Sequence, residues 1–334
     1  MRKFLFALLL FLGVVFFLSR VAEFENILLT LQKGEWYFVL SGFALVAIWL
    51  LANTSAYRSI YAIMGIQEKT LDLLPVVLAS NFANTIAPSG GASGIAIFVA
   101  EARRRKYSPA KVTAASAVYL EFEYLSLLTM LGAGFIVLIR RQHLASAEII
   151  AGGILLTAAL ILALMIYLGM KSSKRLARLL TTSARLINTL LHPLLRRPLL
   201  TEERAVEFAC ELSEGLQSLR ERPRRMLKPF FFAILAKTLQ LLTLLLIFIN
   251  FQVPVSAGTL VASYSLSSLF HIVSPTPAGI GFVEGILALT LASMYVSPEN
   301  AAVISLTYRA LTFWFPLVLG LISFRWLQKN TPAS

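Results

Sequence analysis

The sequence predicts an all-α polytopic membrane protein with about six full transmembrane helices and two further, broken hairpins. Charged residues make up 14% of its 334 residues, against about 25% in soluble proteins. Hydrophobic residues reach 57%, and the mean hydropathy is +0.76. A soluble fold needs more charge than this to cover its surface. The lipid bilayer is therefore the expected solvent, and residues 1–334 are predicted to form a single membrane domain.

Six apolar segments are predicted to span the bilayer, whose core of about 30 Å needs roughly 20 helical residues. Arg2 and Lys3 precede the first segment, a pattern also found in cleaved signal peptides. The residues that follow, 19–23, make a poor cleavage site, so a retained helix is favoured. The predicted spans are residues 4–19, 36–52, 110–139, 149–170, 229–250 and 300–326.

Two more apolar stretches are interrupted near their centres by proline and glycine. Residues 71–101 contain Pro88-Ser89-Gly90-Gly91, and residues 255–296 contain the sequence PTPAGIG at 275–281. Unwound backbone survives in a bilayer only where protein or a water-filled cavity satisfies its N–H and C=O groups. Each stretch is therefore predicted to form a re-entrant helical hairpin whose two arms enter and leave on one side. Whether the hairpins cross the bilayer fully stays open.

The distribution of Lys and Arg predicts the orientation, because cytoplasmic loops carry an excess of them. Basic residues are concentrated at both termini, at 103–106 and in the block 171–228, which holds thirteen. Both termini are therefore predicted to be cytoplasmic, in the cell (inner) membrane. Arg140 and Arg141 fall on the opposite side and violate the rule. Residues 171–228 are predicted to be a cytoplasmic amphipathic linker among the lipid headgroups.

Composition also excludes several classes of protein. The net charge of +13 fits cytoplasmic loops beside anionic lipids, so nucleic acid is not a predicted partner. The single cysteine, Cys210, permits no intrachain disulfide. Three histidines are too few for a poly-His metal site, and no ATP-binding loop motif is present. We therefore expect neither a metal nor a cofactor.

The two breaks are related by a common offset of 189 residues. Three features align at this offset: Gly90 with Gly279, Ser108-Pro109 with Ser297-Pro298, and Tyr119 with Tyr308. A Ser-Pro pair suits a helix start, because Ser caps free N–H groups and Pro fits the first helical position. Residues 36–139 and 229–326 are thus predicted to be two repeat units. The first hairpin opens to the cytoplasm and the second to the outside, so the repeat is predicted to be inverted, as in many transporters.

Small and polar residues at the breaks are the first candidates for substrate binding. Asparagines supply hydrogen bonds, and glycines allow the backbone to approach a ligand closely. The helix that restarts after the second break directs its N-terminal N–H groups into the site, which suits an anionic phosphate. A single break would favour a simple kink in a helix, whereas two breaks related by a sequence repeat favour a binding site. The candidates are Asn81, Asn84, Pro88, Gly90, Pro277, Gly279 and Gly281.

Charged residues inside the membrane are costly and usually face an interior pathway. Arg309 lies 11 residues past Pro298, about 16 Å along its helix and near the bilayer centre. Glu121 lies at a similar depth and is predicted to face the pathway. Glu123, about 200° further round the helix, is predicted to face a neighbouring helix. Glu284, just after the second break, is a candidate for the pathway or a structural partner of Arg309.

Two other polar residues in apolar segments are predicted to have structural roles. Lys237 lies about eight residues into its predicted span and could extend its ammonium to the cytoplasmic surface. His271 lies among apolar and hydroxyl residues, where a packing role is favoured over a proton relay.

Three motifs carry a family resemblance. An Asn-rich helix runs into a Pro-x-Gly-Gly motif met by Asn81, Asn84, Pro88, Gly90 and Gly91. A Pro-x-Pro-x-Gly-x-Gly-x-x-Glu motif is met by Pro275, Pro277, Gly279, Gly281 and Glu284, and a Tyr-Arg pair by Tyr308 and Arg309. With these motifs the chain resembles the transmembrane region of lysylphosphatidylglycerol synthases, a flippase-like domain that also occurs alone in bacteria and archaea. Residues 91–94 depart from the Arg-bearing version of the first motif.

The resemblance implies translocation of aminoacylated phospholipids or polyprenyl-phosphate-linked sugars, with membrane lipids as partners. The chain stops eight residues after Trp326, so the aminoacyl-transfer activity of the full synthases is not expected. Two alternatives stay open: a secondary transporter of a small anionic solute, and an intramembrane serine hydrolase using Ser93, in a Gly-x-Ser-Gly sequence, with His271 as base. A homo-oligomer or a partner lipid-modifying enzyme is also left open.

Overall fold

The computed structural model describes residues 36–87, 92–178, 181–182, 202–274 and 279–329. Every regular element in these ranges is helical, which confirms the predicted all-α class. The predicted first span, 4–19, lies outside the described residues. So do Pro88, Gly90 and Pro277 from the two breaks.

Eleven α-helices have defined bounds, with a 3₁₀ turn (Pro223–Met226) before the seventh and a π-helical turn (Ala310–Trp314) joining the last two. They are α1 (Trp36–Ile63), α2 (Thr70–Ile86), α3 (Ala92–Arg104), α4 (Pro109–Arg140), α5 (Ser146–Lys171), α6 (Glu202–Glu221), α7 (Leu227–Asn250), α8 (Ala257–Val273), α9 (Phe282–Ser293), α10 (Pro298–Arg309) and α11 (Phe315–Lys329). Residues 173–178 and 181–182 are helical as well.

Five helical segments in the described ranges are long and apolar enough to cross a membrane. They are α1, α4, α5, α7 with its 3₁₀ turn, and the continuous helix from α10 to α11. Each overlaps one predicted span. The largest difference is in α1, which was expected to end at 52 and runs to Ile63. Asn53 and Thr54 ended the apolar run in the sequence, but both side chains are buried within the bundle.

Each hairpin has two short arms. In the first, α2 has 17 residues and α3 has 13. In the second, α8 has 17 and α9 has 12. At 1.5 Å per residue these arms are about 18–26 Å long, less than the roughly 30 Å of a hydrocarbon core. The arms of each hairpin pack against one another.

Helix bounds match between the two halves. Pro109–Arg140 and Pro298–Lys329 are both 32 residues long, and their first residues differ by the offset of 189. Ser108 caps α4 as predicted, because its side chain accepts a hydrogen bond from Lys111 N. Ser297 precedes α10 with Pro298 in the first helical position, but its side chain makes no capping hydrogen bond. The matching bounds support the repeat, whose inverted orientation stays a prediction.

The two halves of the chain pack against each other. Helix α1 packs along α7, the first helix of the other half. The first hairpin arm α2 packs on α11, and in the second half α8 packs on α4. Gly320 of α11 lies so close to α2 that a Cβ atom there would fall 2.7 Å from the carbonyl oxygen of Leu78. Each hairpin is therefore supported mainly by the long helix of the other half.

Residues 183–201 of the predicted linker lie outside the described residues, whereas its helix α6, also expected among the headgroups, packs on protein. Its Ser213 hydroxyl donates to the Gly169 carbonyl oxygen of α5 at 2.5 Å, and Leu216 beside it is fully buried. Toward α4, Ser108 Oγ donates to Glu211 Oε2 at 2.7 Å, and Lys111 Nζ lies 2.7 Å from Glu214 Oε1. The apolar side of this amphipathic helix thus covers the ends of α4 and α5.

The position of Arg141, which violates the charge rule, has a structural explanation. Its Nη1 donates to Thr259 Oγ1 at 3.0 Å and its Nη2 donates to Ser256 Oγ at 2.9 Å. Ser256 is also the N-cap of α8, where it accepts from Thr259 N. Arg141 therefore joins the end of α4 to the start of the second hairpin.

Candidate functional site

Arg309 and Glu284 form a buried ion pair at the second break. Arg309 Nε donates to Glu284 Oε1 at 2.7 Å, and the two residues are only 5% and 6% exposed. Glu284 is therefore the partner of Arg309, and its place on the pathway stays a prediction. The guanidinium carbon also lies 4.1 Å from the centre of the Phe313 ring, close enough for a cation–π interaction.

Helix ends position both charges. Arg309 is the last residue of α10, directly before the π-helical turn, and π turns within α-helices are frequent at functional sites. Glu284 lies in the first turn of α9, where the helix dipole favours a carboxylate. The Ser305 hydroxyl donates to the Glu284 backbone oxygen at 2.8 Å and joins α10 to α9. The other carboxylate oxygen, Glu284 Oε2, is buried and has no hydrogen-bond partner among the described residues.

Gly279 and Gly281 have the backbone conformation that the second break requires. Their φ angles are +71° and +75°, in the left-handed region that favours glycine. A Cβ atom on Gly279 would fall 3.2 Å from His271 Nδ1, so this glycine lets the break approach the end of α8. Tyr308 is buried in an apolar cluster with Leu50, Leu287 and others. The binding role predicted for it stays a prediction.

Asn84 links the two arms of the first hairpin. Its Oδ1 accepts a hydrogen bond from Gly94 N at 2.7 Å and lies 2.9 Å from Ser93 Oγ, so it caps the start of α3 from the neighbouring arm. Ser93 Oγ also lies 2.7 Å from the Ala87 carbonyl oxygen. Asn81 is half-buried on the same helix. The sequence predicted ligand contacts for Asn84, and the structure gives it a structural partner.

The two glutamates of α4 have different surroundings. Glu123 faces a neighbouring helix, as expected, and forms an ion pair with Lys237 of α7. Lys237 was expected to reach the cytoplasmic surface, but it is buried and directed at this carboxylate. Glu121 is buried, and within the described part of the chain its Oε2 has no hydrogen-bond partner. Its place on the pathway stays a prediction.

A polar belt, defined here as Asn53, Tyr119, Glu123, Lys237, His271, Arg309 and Glu284, crosses the bundle. Tyr119 donates to Asn53 Oδ1 at 3.2 Å. His271 interacts electrostatically with Arg309, Lys237 and Glu123. Its side chain is exposed.

Sequence reasoning missed Glu123, Lys237 and His271 as members of this belt. Glu123 and Lys237 are 114 residues apart, and nothing in the local pattern pairs them. The signal that could have revealed the partner of Lys237 is its depth in the membrane. Lys237 lies ten residues into α7, about 15 Å from the start of the helix. At that depth a partner inside the bundle is a better expectation than the membrane surface.

A separate charged cluster lies at the open end of the first hairpin. Arg105 Nη1 lies 2.7 Å from Glu68 Oε2, and Arg105 Nε lies 2.6 Å from Glu101 Oε1. Burial lowers the pKa of Arg105, but hydrogen bonds and charge from Glu68 and Glu101 raise it more, so the net shift is upward. Burial and a hydrogen bond to Glu68 raise the pKa of Tyr107. The cluster ties the end of α3 to the loop between α1 and α2.

The bundle and its polar belt define a polytopic helical membrane domain with two broken hairpins and a buried charge pair at the second. The chain belongs to the family of lysylphosphatidylglycerol synthase transmembrane regions, whose model matches residues 4–320. This agrees with the resemblance that the three sequence motifs carry. In the described residues no group of three His, Cys, Asp or Glu is placed to hold a metal ion.

Several archaeal proteins are similar to the chain. Two proteins named UPF0104 membrane protein, both from Methanothermobacter thermautotrophicus, are 23% identical over 330 residues and 24% identical over 320 residues. The first alignment covers 94% of this chain and 93% of the relative, and the second covers 93% and 89%. A UPF0104 membrane protein from Methanocaldococcus jannaschii is 25% identical over 100 residues, 30% of each chain. No solved structure matches the chain.

Proposed function

We propose that the protein translocates lipids with a phosphate-bearing headgroup, either a phospholipid or a polyprenyl-phosphate-linked lipid, across the cell membrane. The observation that carries this proposal is the buried Arg309–Glu284 pair beside the second break. A guanidinium binds phosphate oxygens in bidentate fashion. Membership in a family of lipid-synthase transmembrane regions supports a lipid as the cargo.

The proposed site lies where the two halves meet. The headgroup reaches the second break, and its phosphate takes the place of the Glu284 carboxylate on Arg309. The acyl or prenyl chains stay in the surrounding lipid. Gly279 and Gly281 let the backbone of the break come close to the headgroup, while Asn81, Asn84 and Glu121 line the opposite side. In this proposal both hairpins are re-entrant, both termini are cytoplasmic, and the protein itself is not an enzyme.

The proposal is tested with purified protein in vesicles that contain a fluorescent phosphatidylglycerol. An impermeant reductant quenches the outer leaflet, so translocation appears as additional quenching with time. Arg309→Ala removes the cation, and we expect the rate to fall on the order of 10- to 100-fold, the equivalent of about 1.5–3 kcal/mol for hydrogen bonds to a charged group. Arg309→Lys keeps the charge without the bidentate geometry and should retain an intermediate rate.

Translocation by Arg309→Ala at the wild-type rate, in a variant that is folded and reconstituted normally, would contradict the proposal. Uptake of soluble anions without lipid movement would favour the secondary-transporter alternative. The serine-hydrolase alternative requires Ser93 as a nucleophile, whereas its hydroxyl lies within hydrogen-bond distance of Asn84 and Ala87. Labelling of Ser93 by a fluorophosphonate probe would revive that alternative.

A further inference from the structure

The Arg309–Glu284 pair has no net charge, so an arriving anion changes the charge balance at the second break. Arg309 Nε lies 2.7 Å from Glu284 Oε1, and the two side chains are only 6% and 8% exposed. When a headgroup phosphate takes the place of the carboxylate, it neutralises the guanidinium in its turn, and Glu284 loses its counter-ion. The exchange therefore leaves one excess negative charge in a buried place.

The displaced Glu284 carboxylate has no second cation close to it. Among the described residues, Arg309 is the one cation within ion-pair distance of Glu284, and Glu284 Oε2 makes no hydrogen bond with any of them. The helix dipole at the start of α9 favours a carboxylate, but the loss of a buried counter-ion outweighs that effect. Two anions that share one guanidinium also repel each other, and such a pair is relieved when one of them binds a proton.

Four further titratable side chains lie on α8 and α10, the two helices that pack most closely against α9. On α10, Glu299 is in the first turn, at the opposite end from Arg309, and Tyr308 is buried in an apolar cluster. On α8, the Tyr264 hydroxyl donates to α7 at 3.0 Å. His271, which has an exposed side chain, lies beside the break. Besides Arg309, His271 is therefore the titratable neighbour that a test has to consider.

The two glutamates of α4 are not affected by an exchange at Arg309. Glu123 has its own counter-ion, Lys237. Glu121 Oε2 has no hydrogen-bond partner in the part of the chain that the structure describes, so an anion at Arg309 displaces nothing from it. The exchange removes the partner of Glu284 alone, which makes Glu284 the carboxylate whose protonation follows the binding of the anion.

We propose that Glu284 takes up one proton each time a phosphate displaces it from Arg309, so that one proton moves with each headgroup. The O–H bond forms on the displaced carboxylate with a proton from water on the side where the headgroup enters. It breaks on the other side, when the phosphate leaves and the carboxylate returns to Arg309. The proposal rests on the proposed function and extends it by naming an ion that moves with the lipid.

The charge that crosses the membrane distinguishes this proposal from movement of the lipid alone. Phosphatidylglycerol carries a single negative charge, so together with one proton it crosses the membrane without net charge. A pH difference then drives its movement, whereas a membrane potential does not. Without the proton the lipid crosses as an anion, and the potential drives it instead.

The experiment measures how each driving force distributes the lipid. A trace of fluorescent phosphatidylglycerol is placed in phosphatidylcholine vesicles that contain the purified protein, and the impermeant reductant reports its distribution between the leaflets at equilibrium. With a pH difference of about one unit and no potential, we expect about tenfold accumulation in the leaflet that faces the alkaline side. With a potassium diffusion potential at equal pH, we expect an even distribution. Protein-free vesicles provide the baseline.

Glu284→Gln removes the group that binds the proton. In this variant we expect the lipid to accumulate on the positive side of an imposed potential and not to respond to the pH difference. A slower rate does not alter this result, because the distribution is measured at equilibrium. Glu207→Gln, which removes an exposed carboxyl group on α6, is the matched control and should behave as the wild-type protein does. Melting temperatures in detergent show which variants are folded.

The outcomes separate this inference from the proposed function. Accumulation driven by pH in the wild-type protein, and its loss in Glu284→Gln, supports the proton. If the wild-type protein moves the lipid but responds only to the potential, or to neither gradient, the proton is overturned and the proposed function stands. If the wild-type protein moves no lipid, both proposals fail.

Two further variants test the assignment to Glu284, even if Glu284→Gln does not fold. Glu121→Gln and His271→Gln remove the other candidate proton carriers, and the pH difference should still drive accumulation in both. Loss of that response in either variant would assign the proton to the substituted residue and overturn the role of Glu284.

Discussion

Arg309 and Glu284 depend on each other inside the bundle, because each neutralises the buried charge of the other. Removing one partner of a buried ion pair typically costs about 3–5 kcal/mol, whereas replacing both is often far less costly. We expect Glu284→Gln and Arg309→Gln each to lower the melting temperature in detergent clearly, and the double variant to lower it by less than the sum. Additive effects would show that the two side chains are not coupled.

Gly94 allows the arms of the first hairpin to approach. A Cβ atom there would fall 2.5 Å from Ser80 Oγ and closer still to the Asn84 amide. We therefore expect Gly94→Ala to displace Asn84 from its capping position and to destabilise the protein by about 1–3 kcal/mol, as overpacked sites do. Thermal unfolding in detergent measures the change.

Gly132 is the matched control for that prediction, since it is also helical and nothing lies within 4 Å of its added Cβ. Alanine is the better helix former, so Gly132→Ala should leave stability unchanged or slightly higher. Equal destabilisation by both substitutions would argue against a special role for Gly94.

At the scale of elements, the docking of α6 is the clearest departure from the expected lipid-bound linker. Leu216 of α6 packs against Gly169 of α5 and is 2% exposed. Leu216→Ala leaves a cavity, at a typical cost of about 2–5 kcal/mol, and should release α6 from α4 and α5. Limited proteolysis is expected to cut within 202–221 faster in this variant.

The control for α6 is Glu207→Ala, which changes an exposed residue on the same helix. Its proteolysis should match that of the wild-type protein. If Leu216→Ala is cut no faster than the control, α6 is held in place by contacts other than its apolar side.

Sequence patterns predicted elements well where the signal was local. Apolar runs located five spans, and the Ser-Pro pair located the start of α4, because hydropathy and capping act within a few residues. The same signals failed at Asn53 and Thr54, where burial inside the bundle hides polar side chains from lipid. Pairings such as Glu123 with Lys237, or Arg141 with Ser256, depend on which helices meet. No local pattern contains that information.

At the scale of the whole molecule, the inverted repeat makes a prediction about sidedness. In a background of Cys210→Ser, Arg103→Cys tests the open end of the first hairpin, and Ala257→Cys tests that of the second. Both positions are exposed. We expect an impermeant maleimide to label position 257 from outside the cell and position 103 only after the membrane is opened.

His143→Cys, in the loop between α4 and α5, is an exposed reference for the outside and should label together with position 257. Labelling of positions 103 and 257 from one compartment would rule out the inverted arrangement. Because the repeat bounds match at a fixed offset, such a result would require a parallel repeat instead.

The exchange of contacts between the halves has a consequence for biosynthesis. Helix α2 is made early, but the surface on which it packs belongs to α11, which is made long after it. Until α11 is inserted, the surface of the first hairpin that will contact it can meet only lipid, the other arm of the hairpin or an insertion factor. A nascent chain truncated before α11 should therefore be a target for membrane proteases, even though most of its spans are already in place.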